Sequence, residues 1–421
     1  MRFGCGQALS GRATNGGGRT ERCRLPGEQT TLPWLISPIT NQTFFEQYWE
    51  KGVLVVNHNQ PGYFSSLFSL DEADRVITTL DRHYPDITLK NADRPVIADD
   101  YVTRDNSVDV AKVYQLFENG STIILSYLDS VVPALESFCR SLEHEFSFPF
   151  QTNVYLTPAS AKGFKPHYDT HDVFVLQVVG SKHWTIYGTP LQFPLAEQDF
   201  DSAVHERGAS TLEFELEAGD VAYIPRGFVH DARSGDSISL HITAGILSYT
   251  WTDLLLEWVA DACLSDQSFR KSLPPGFARQ EFDRKEAREI FGSLLQKISG
   301  DLNFEDVLDR FIGEFLSARP PQLRGQMAQI KVLDHLGTNS VVATRPEISF
   351  RLGMDGDSTW VDCGRRRISF PPYVTEALRF ALTSSEFAVC DLPGTLDDAG
   401  KLVLVRRLIR EGLLIVEPRS K

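Results

Sequence analysis

The stretch formed by residues 166–187 constrains the fold of this chain more than any other part of the sequence. It opens with His167-Tyr168-Asp169, continues as an apolar run over residues 173–179, turns at a Gly-Ser pair and ends in a second strand-like run. Side chains alternate between the two faces of a β-strand, so His167 and Asp169 are expected to point the same way. The stretch therefore predicts two sequential strands, with an imidazole and a carboxylate side by side at their start.

A third residue of suitable chemistry is His230, which follows Ile-Pro-Arg-Gly-Phe-Val. Two histidines and one carboxylate, with positions left open for other ligands, form the facial triad that is typical of non-heme Fe(II) oxygenase sites. We therefore predict that His167, Asp169 and His230 bind one metal ion. Two alternatives stay open. In one, His167 and Asp169 are a hydrogen-bonded surface pair and His230 is an ordinary loop residue; in the other, His171 replaces one of the ligands.

The sequence around these residues predicts many short strands. Leu212–Glu217 alternates strictly between apolar and acidic side chains, and residues 238–244 alternate again. Short strands of this kind, separated by glycine turns, are typical of a β-barrel or a jelly roll. In the second segment, His241 and Thr243 share one face of the strand. His241 therefore either lines a pocket or is satisfied inside the core.

Lys182 follows the turn between the two strands of the first stretch. A lysine that is buried in a barrel needs an anionic partner, and a dicarboxylate co-substrate such as 2-oxoglutarate would supply one. The alternative is a solvated lysine at a hairpin turn. Of the other histidines, His183 beside Trp184 is expected to pack within its strand, and His205, in a loop, is expected to have no special role.

The composition argues against several classes of protein. No apolar run reaches the ~18 residues that span a bilayer, and the N-terminus lacks the apolar core of a secretory signal. The six Cys residues are scattered without a Cys-x-x-Cys pair, which fits a reducing compartment, the cytoplasm. A net charge of −14 is unfavourable for direct nucleic-acid binding. It suits a basic protein partner, although solubility alone also accounts for it.

Composition and apolar periodicity divide the chain into four parts. Residues 1–30 are rich in Gly, Arg, Thr and Ser without apolar periodicity, which predicts a disordered tail. Residues 31–250 contain the strands described above. Residues 251–340 show helical spacing and suit a helical region that packs on the barrel or pairs two subunits. Residues 341–421 mix strands with helices and are compatible with a winged-helix-like domain.

These features resemble the JmjC-type 2-oxoglutarate oxygenases of the ribosomal-oxygenase branch, which are cupin-like protein hydroxylases. The shared motifs, from about residue 32 to the end, include Asn153-Val-Tyr155-Leu-Thr-Pro, Pro166-His-Tyr-Asp169, Lys182-His-Trp, Gly219-Asp-Val-Ala-Tyr-Ile-Pro-Arg-Gly-Phe-Val-His230 and His241-Ile-Thr243. The resemblance implies a mixed α+β fold: a double-stranded β-helix (jelly-roll, cupin/JmjC) core with a helical dimerisation region and a C-terminal winged-helix-like domain.

Carried over residue by residue, the resemblance implies that His167, Asp169 and His230 hold Fe(II). The implied contacts to the co-substrate 2-oxoglutarate come from Lys182, Tyr155, Thr243 and Asn153, with His241 in the pocket wall. The resemblance also implies an iron dioxygenase that consumes O₂ and hydroxylates a side chain of a protein or peptide, a ribosomal protein being one candidate. It further implies a homodimer, no membrane contact, and a winged-helix tail that does not need DNA.

One departure from the family concerns the substrate. Members that act on ribosomal proteins usually carry an acid-rich stretch after the ligand aspartate, of the type Asp-x-Glu-x-Phe, where this chain has Thr170-His171-Asp172-Val-Phe. The substrate therefore stays open. The alternatives are the same chemistry on a peptide natural product or small molecule, demethylation of N-methyl-lysine, and a cupin-like binding protein without catalysis.

Overall fold

The computed structural model describes residues 31–300 and 304–416, so the predicted N-terminal tail lies outside the described residues. The helices are α1 Leu32–Leu35, α2 Asn41–Gln47, α3 Leu70–Thr79, α4 Val110–Glu118, α5 Pro133–Phe146, α6 Trp251–Ser265, α7 Arg284–Gly300, α8 Phe304–Ser317, α9 Gln326–Val332, α10 Thr375–Thr383 and α11 Asp398–Arg410.

The strands are β1 Leu54–Val56, β2 Ile87–Lys90, β3 Thr122–Leu125, β4 Phe150–Thr157, β5 Asp172–Val179, β6 Ser181–Ile186, β7 Leu212–Glu217, β8 Val221–Ile224, β9 His230–Ser234, β10 Ser239–Ile246, β11 Val341–Thr344, β12 Arg351–Asp355, β13 Ser358–Cys363, β14 Arg366–Phe370, β15 Glu386–Ala388 and β16 Leu414–Val416. No described helix is both long enough and apolar enough to cross a bilayer.

Two antiparallel sheets form the core of the N-terminal half. The larger sheet has the strand order β1-β8-β5-β10-β4-β3-β2, and the smaller one has the order β7-β6-β9. A shared apolar cluster joins them, with Val173 and Val175 from the larger sheet and Trp184 and Leu216 from the smaller one. The packed sheets agree with the predicted cupin-like core, and the crossovers between them bring distant parts of the chain together.

The position of strand β5 explains why the apolar run over residues 173–179 is continuous. One of its faces, with Phe174, Leu176 and Val178, belongs to the main core, which the flanking helices α1, α2, α3 and α5 also line. The opposite face, with Val173 and Val175, packs against the smaller sheet. Since both faces are covered, neither can be polar, and the strand reads as an uninterrupted apolar segment.

In contrast, the smaller sheet is covered on only one face. Trp184 is buried beneath it, whereas the neighbouring His183 side chain points outward and lies 3.7 Å from Glu213. The prediction that His183 packs inside its strand is therefore wrong, because the two-residue alternation of a strand sends it to the opposite face from Trp184.

The C-terminal half has a separate apolar core. A three-stranded sheet with the order β15-β11-β16 packs with α10 and α11, and a second sheet, β12-β13-β14, adds Val361 and Ile368 to the same cluster. Between the two halves, α6–α9 confirm the helical character of the middle region. A buried ion pair of 3.1 Å between Arg319 and Glu143 links the end of this region to α5.

Candidate functional site

The three predicted metal ligands meet at one point in the structure. One ligand atom from each of His167, Asp169 and His230 lies within 4.8 Å of the others. The Nε2 atom of each histidine is 3.8 Å from a different oxygen of Asp169. The three side chains therefore lie in the arrangement that a shared metal ion requires. His171 does not belong to this group among the described residues; its ring lies against Gly245 instead.

Backbone pairing brings the distant ligand segments together. His167 and His230 form an isolated antiparallel bridge, with N–O distances of 3.1 and 2.8 Å between their main chains. The amide of Gly227 donates a further hydrogen bond of 3.0 Å to the carbonyl of Asp169. The two residues of the His-x-Asp motif therefore lie just before β5 rather than within it, and contacts with the segment around His230 hold them in position.

Both ring orientations are fixed by the main chain. The Nδ1 atom of His167 lies 2.9 Å from the carbonyl oxygen of Lys165, and that of His230 lies 2.9 Å from the carbonyl oxygen of Phe228. A carbonyl only accepts, so each Nδ1 carries a proton and donates, and Nε2 is the ring nitrogen that faces Asp169. Metal-binding histidines are held by hydrogen bonds of this kind.

The electrostatics favour the protonation states that a metal needs. Burial alone would raise the pKa of Asp169, but the imidazoles of His230, His167 and His171 lower it below its ordinary value. Burial, and then the proximity of His167, lowers the pKa of His230. A carboxylate and neutral imidazoles are the forms that coordinate cations. The donor set of two imidazole nitrogens and one carboxylate therefore fits Fe(II), with one side of the ion open.

A cavity of about 220 Å³ adjoins the three ligands. Of the predicted co-substrate residues, Lys182, Tyr155, Thr243 and His241 line it. Other lining residues that the sequence analysis did not single out are Thr122, Gly163, Phe164, Val173, Val175, Trp184, Asp231 and Ala232. Their burial comes from the packing of the two sheets, and nothing in their sequence pattern marks them as a set.

Lys182 is a buried lysine for which the described residues supply no acidic partner. Its exposed fraction is 6%, and it takes part in no ion pair among those found in the described residues. Burial lowers the pKa of its ammonium group to about 7. This excludes the alternative of a solvated hairpin lysine. An anion that entered the cavity would compensate for the lost hydration of the charged form.

His241 and Trp184 add further polar atoms to the cavity wall. The Nδ1 atom of His241 and the Nε1 atom of Trp184 are buried and have no hydrogen-bond partner in the part of the chain that the structure describes. The ring of His241 stacks on Tyr155 at 4.8 Å between centroids. Burial, followed by the nearby charge of Lys182, lowers the pKa of His241 well below its ordinary value, so the ring is neutral. Unsatisfied nitrogens in a cavity wall indicate that a ligand or water with polar atoms occupies it.

Two predicted residues differ from the expected arrangement. Asn153 is not part of the cavity wall; its Oδ1 accepts a hydrogen bond of 3.1 Å from the amide of Tyr127. It reaches the site only indirectly, since burial raises the pKa of Tyr155 while a hydrogen bond from Asn153 partly opposes that shift. His205, for which no role was expected, packs edge-on against Tyr168, the residue between the first two ligands, at 5.5 Å.

Comparison with known proteins gives a consistent result. Residues 131–254 match the model of the JmjC domain. Ribosomal oxygenase 1 of Gallus gallus is 35% identical over 256 residues, which cover 57% of this chain and 41% of that protein. A protein of Dictyostelium discoideum named bifunctional lysine-specific demethylase and histidyl-hydroxylase NO66 is 28% identical over 344 residues, 76% of this chain and 65% of that protein.

Among solved structures, YcfD, a ribosomal oxygenase from Escherichia coli in complex with cobalt and 2-oxoglutarate, superimposes with a TM-score of 0.50. The match covers 90% of this chain and 99% of that chain at 17% identity, so it bears on the fold alone. The match to the chicken relative spans less than half of that protein's length. The resemblance predicted from the sequence is confirmed, since residues 131–254 match the JmjC domain model and the relatives include ribosomal oxygenases.

Proposed function

We propose that this protein is an Fe(II)- and 2-oxoglutarate-dependent dioxygenase that hydroxylates a side chain of a protein substrate. One observation carries the proposal: a triad of His167, Asp169 and His230 opens onto a cavity that also holds the buried, unpaired Lys182. A metal site with open positions beside a buried lysine suits a co-substrate that chelates the metal at one end and carries a carboxylate at the other.

His167, Asp169 and His230 would hold the iron, which, when bound, supplies the means to activate O₂ for attack on an unactivated C–H bond. The protein contributes the fixed orientation of its ligands and a cavity that excludes bulk water. Lys182 would bind the distal carboxylate of 2-oxoglutarate by a charge-assisted contact. The remaining polar groups of the wall, on Tyr155, Thr243, His241 and Trp184, would orient the rest of that molecule.

A protein substrate is supported by the relatives, whose names refer to ribosomes, to histidyl hydroxylation and to lysine demethylation. The net charge of −14 suits a basic polypeptide such as a ribosomal protein. Lysine demethylation is the second candidate, since it begins with hydroxylation of an N-methyl carbon and the Dictyostelium relative is named for it. Release of formaldehyde from a methyl-lysine peptide would separate the two reactions.

The test is the conversion of 2-oxoglutarate to succinate by the purified full-length protein with Fe(II) and ascorbate, with and without a ribosomal protein fraction. We expect turnover that rises with the fraction, together with a +16 Da shift on one of its proteins. The His167→Ala variant should give neither. If the wild-type protein forms no succinate and 2-oxoglutarate with Mn(II) does not raise its melting temperature, the proposal fails.

Three further features belong to the same proposal. The middle region, residues 251–340, would pair two subunits, because α6 and α7 expose large apolar side chains that include Trp251, Leu256 and Phe291. Residues 341–421 would form a winged-helix-like packing domain that needs no DNA. All cysteines in the described part of the chain are free, which agrees with a reducing compartment such as the cytoplasm.

A further inference from the structure

A buried ionic network lies beside the candidate metal site and is not part of the cavity wall. Its members, which we call the Arg226 network, are Glu50, Asp172, Tyr223 and Arg226. Arg226 donates from Nη1 to Asp172 at 2.6 Å and from Nη2 to Glu50 at 2.5 Å. The Tyr223 hydroxyl donates to the other oxygen of Asp172 at 2.7 Å and accepts from the amide of Glu50 at 3.0 Å.

The network joins the two segments that supply the metal ligands. Asp172 is the first residue of β5 and follows the ligand Asp169 by three positions, whereas Arg226 precedes the ligand His230 by four. Between Arg226 and His230 lies a turn in which Gly227 donates to the carbonyl of Asp169 and Phe228 accepts from the His230 ring. The ion pair therefore anchors the same turn that sets the position and the ring orientation of His230.

Because the Asp172–Arg226 ion pair is deeply buried, stabilisation of the fold alone explains it poorly. Asp172 has no exposed surface and Arg226 only 8%. A buried ion pair loses so much hydration that two apolar side chains of similar volume often stabilise a fold equally well or better. An ion pair differs from such an apolar contact in its directional hydrogen bonds. Here those bonds link two backbone segments whose spacing decides whether three ligands converge.

We propose that Arg226 and Asp172 are positioning residues of the metal site, whose ion pair holds the turn before His230 at the distance at which His230 meets His167 and Asp169. This inference rests on the proposed function, since it assumes that the triad binds a metal. It also gives a role to Asp172, whose carboxylate faces Arg226 inside the fold.

The test is a titration of the metal-free, full-length protein with Co²⁺, followed by the visible absorption of the bound ion, with thermal unfolding recorded in parallel. In the Asp172→Asn variant we expect the Kd for Co²⁺ to rise about tenfold or more, the range seen when residues that orient metal ligands are lost. A matched control is Glu143→Gln, which removes another buried acid that pairs with two arginines, Arg140 at 3.2 Å and Arg319 at 3.1 Å.

The control should lower the melting temperature and leave Co²⁺ binding unchanged. A double variant, Asp172→Leu with Arg226→Met, removes both charges and should recover stability but not affinity, which keeps the test decisive if the single variant does not fold. Wild-type affinity in the folded single or double variant, or an equal loss in Glu143→Gln, would overturn the inference alone. Failure of the wild-type protein to bind Co²⁺ would overturn the proposed function as well.

Discussion

At the scale of single residues, some polar groups of the candidate site have hydrogen-bond partners within the protein and others do not. The ring nitrogens Nδ1 of His167 and His230 donate to backbone carbonyls, so the metal-binding face is preorganised. In the cavity, the side chain of Lys182 is buried, and one buried ring nitrogen of His241 and one of Trp184 have no hydrogen-bond partner among the described residues. Proteins rarely leave such groups unpaired, and this arrangement destabilises the free protein in favour of a bound ligand.

Replacement of Lys182 by Met should weaken 2-oxoglutarate binding about ten- to a hundredfold in the Mn(II)-loaded protein, because one charged hydrogen bond is lost. Without a bound ligand, the pKa of the Lys182 ammonium group is about 7. At higher pH the wild-type protein must therefore take up a proton to bind the anion. Its affinity should therefore fall as the pH rises above about 7, whereas that of the variant should not. Calorimetry at several pH values measures both effects, with the exposed Lys90→Met as the control.

The same variant should be more stable than the wild-type protein when no ligand is present. Between pH 7 and the ordinary lysine pKa of 10.5, the unfolded chain binds a proton that the folded chain has released, so wild-type stability increases with pH in that interval. The advantage of Lys182→Met should accordingly be greatest below about pH 7 and shrink toward pH 10. Urea unfolding at pH 6 and pH 9 tests this; an advantage that grows with pH would contradict the burial of a charged lysine.

At the scale of elements, the site depends on a short turn rather than on the strands alone. The turn is residues 225–228, between β8 and β9, and it brings His230 to the segment that holds His167 and Asp169. Gly227 has a φ of +84° in this turn, and a Cβ there would lie 2.4 Å from the carbonyl oxygen of Leu191. Glycine is thus required both by the backbone conformation and by the close approach of another chain segment.

The Gly227→Ala variant should lose stability and metal affinity together, since the turn must shift and the hydrogen bond to Asp169 with it. Gly325→Ala is a matched control: Gly325 has a similar φ of +77°, but nothing lies within 4 Å of its added Cβ. In the control, the free energy of unfolding should fall only by the cost of the left-handed conformation, about 1 kcal/mol. Its Co²⁺ binding should be normal. Chemical unfolding and Co²⁺ titration of both variants would check this, and equal behaviour of the two would refute the steric argument.

At the scale of the whole molecule, the middle helices expose large apolar side chains. None of the residues of α6 is buried, and both α6 and α7 carry exposed large apolar side chains, which we call the exposed α6 and α7 surface. Large exposed apolar patches mark places where another molecule binds. A second copy of the chain would cover this surface in the homodimer proposed above.

A dimer should dissociate when charge is introduced into this surface. We expect Leu256→Glu together with Phe291→Glu, both side chains being 62% exposed, to shift the mass measured by light scattering from two chains to one without loss of Co²⁺ binding. Val403→Glu on α11, which is 65% exposed but outside the surface, should stay dimeric. A monomeric wild-type protein at micromolar concentration would argue against the proposed homodimer.

The sequence by itself determined the types of ligand, the covered strand β5 and the family resemblance, because these are encoded in neighbouring residues and in the two-residue period of strands. From the sequence alone, His167, Asp169 and His230 were singled out as a set, and the structure brings these three side chains together. Only the tertiary structure decided that Lys182 is buried, that His183 is exposed and that Asp172 pairs with Arg226. That pair is 54 positions apart, and contacts of this separation depend on how the sheets pack, which no local pattern in the chain records.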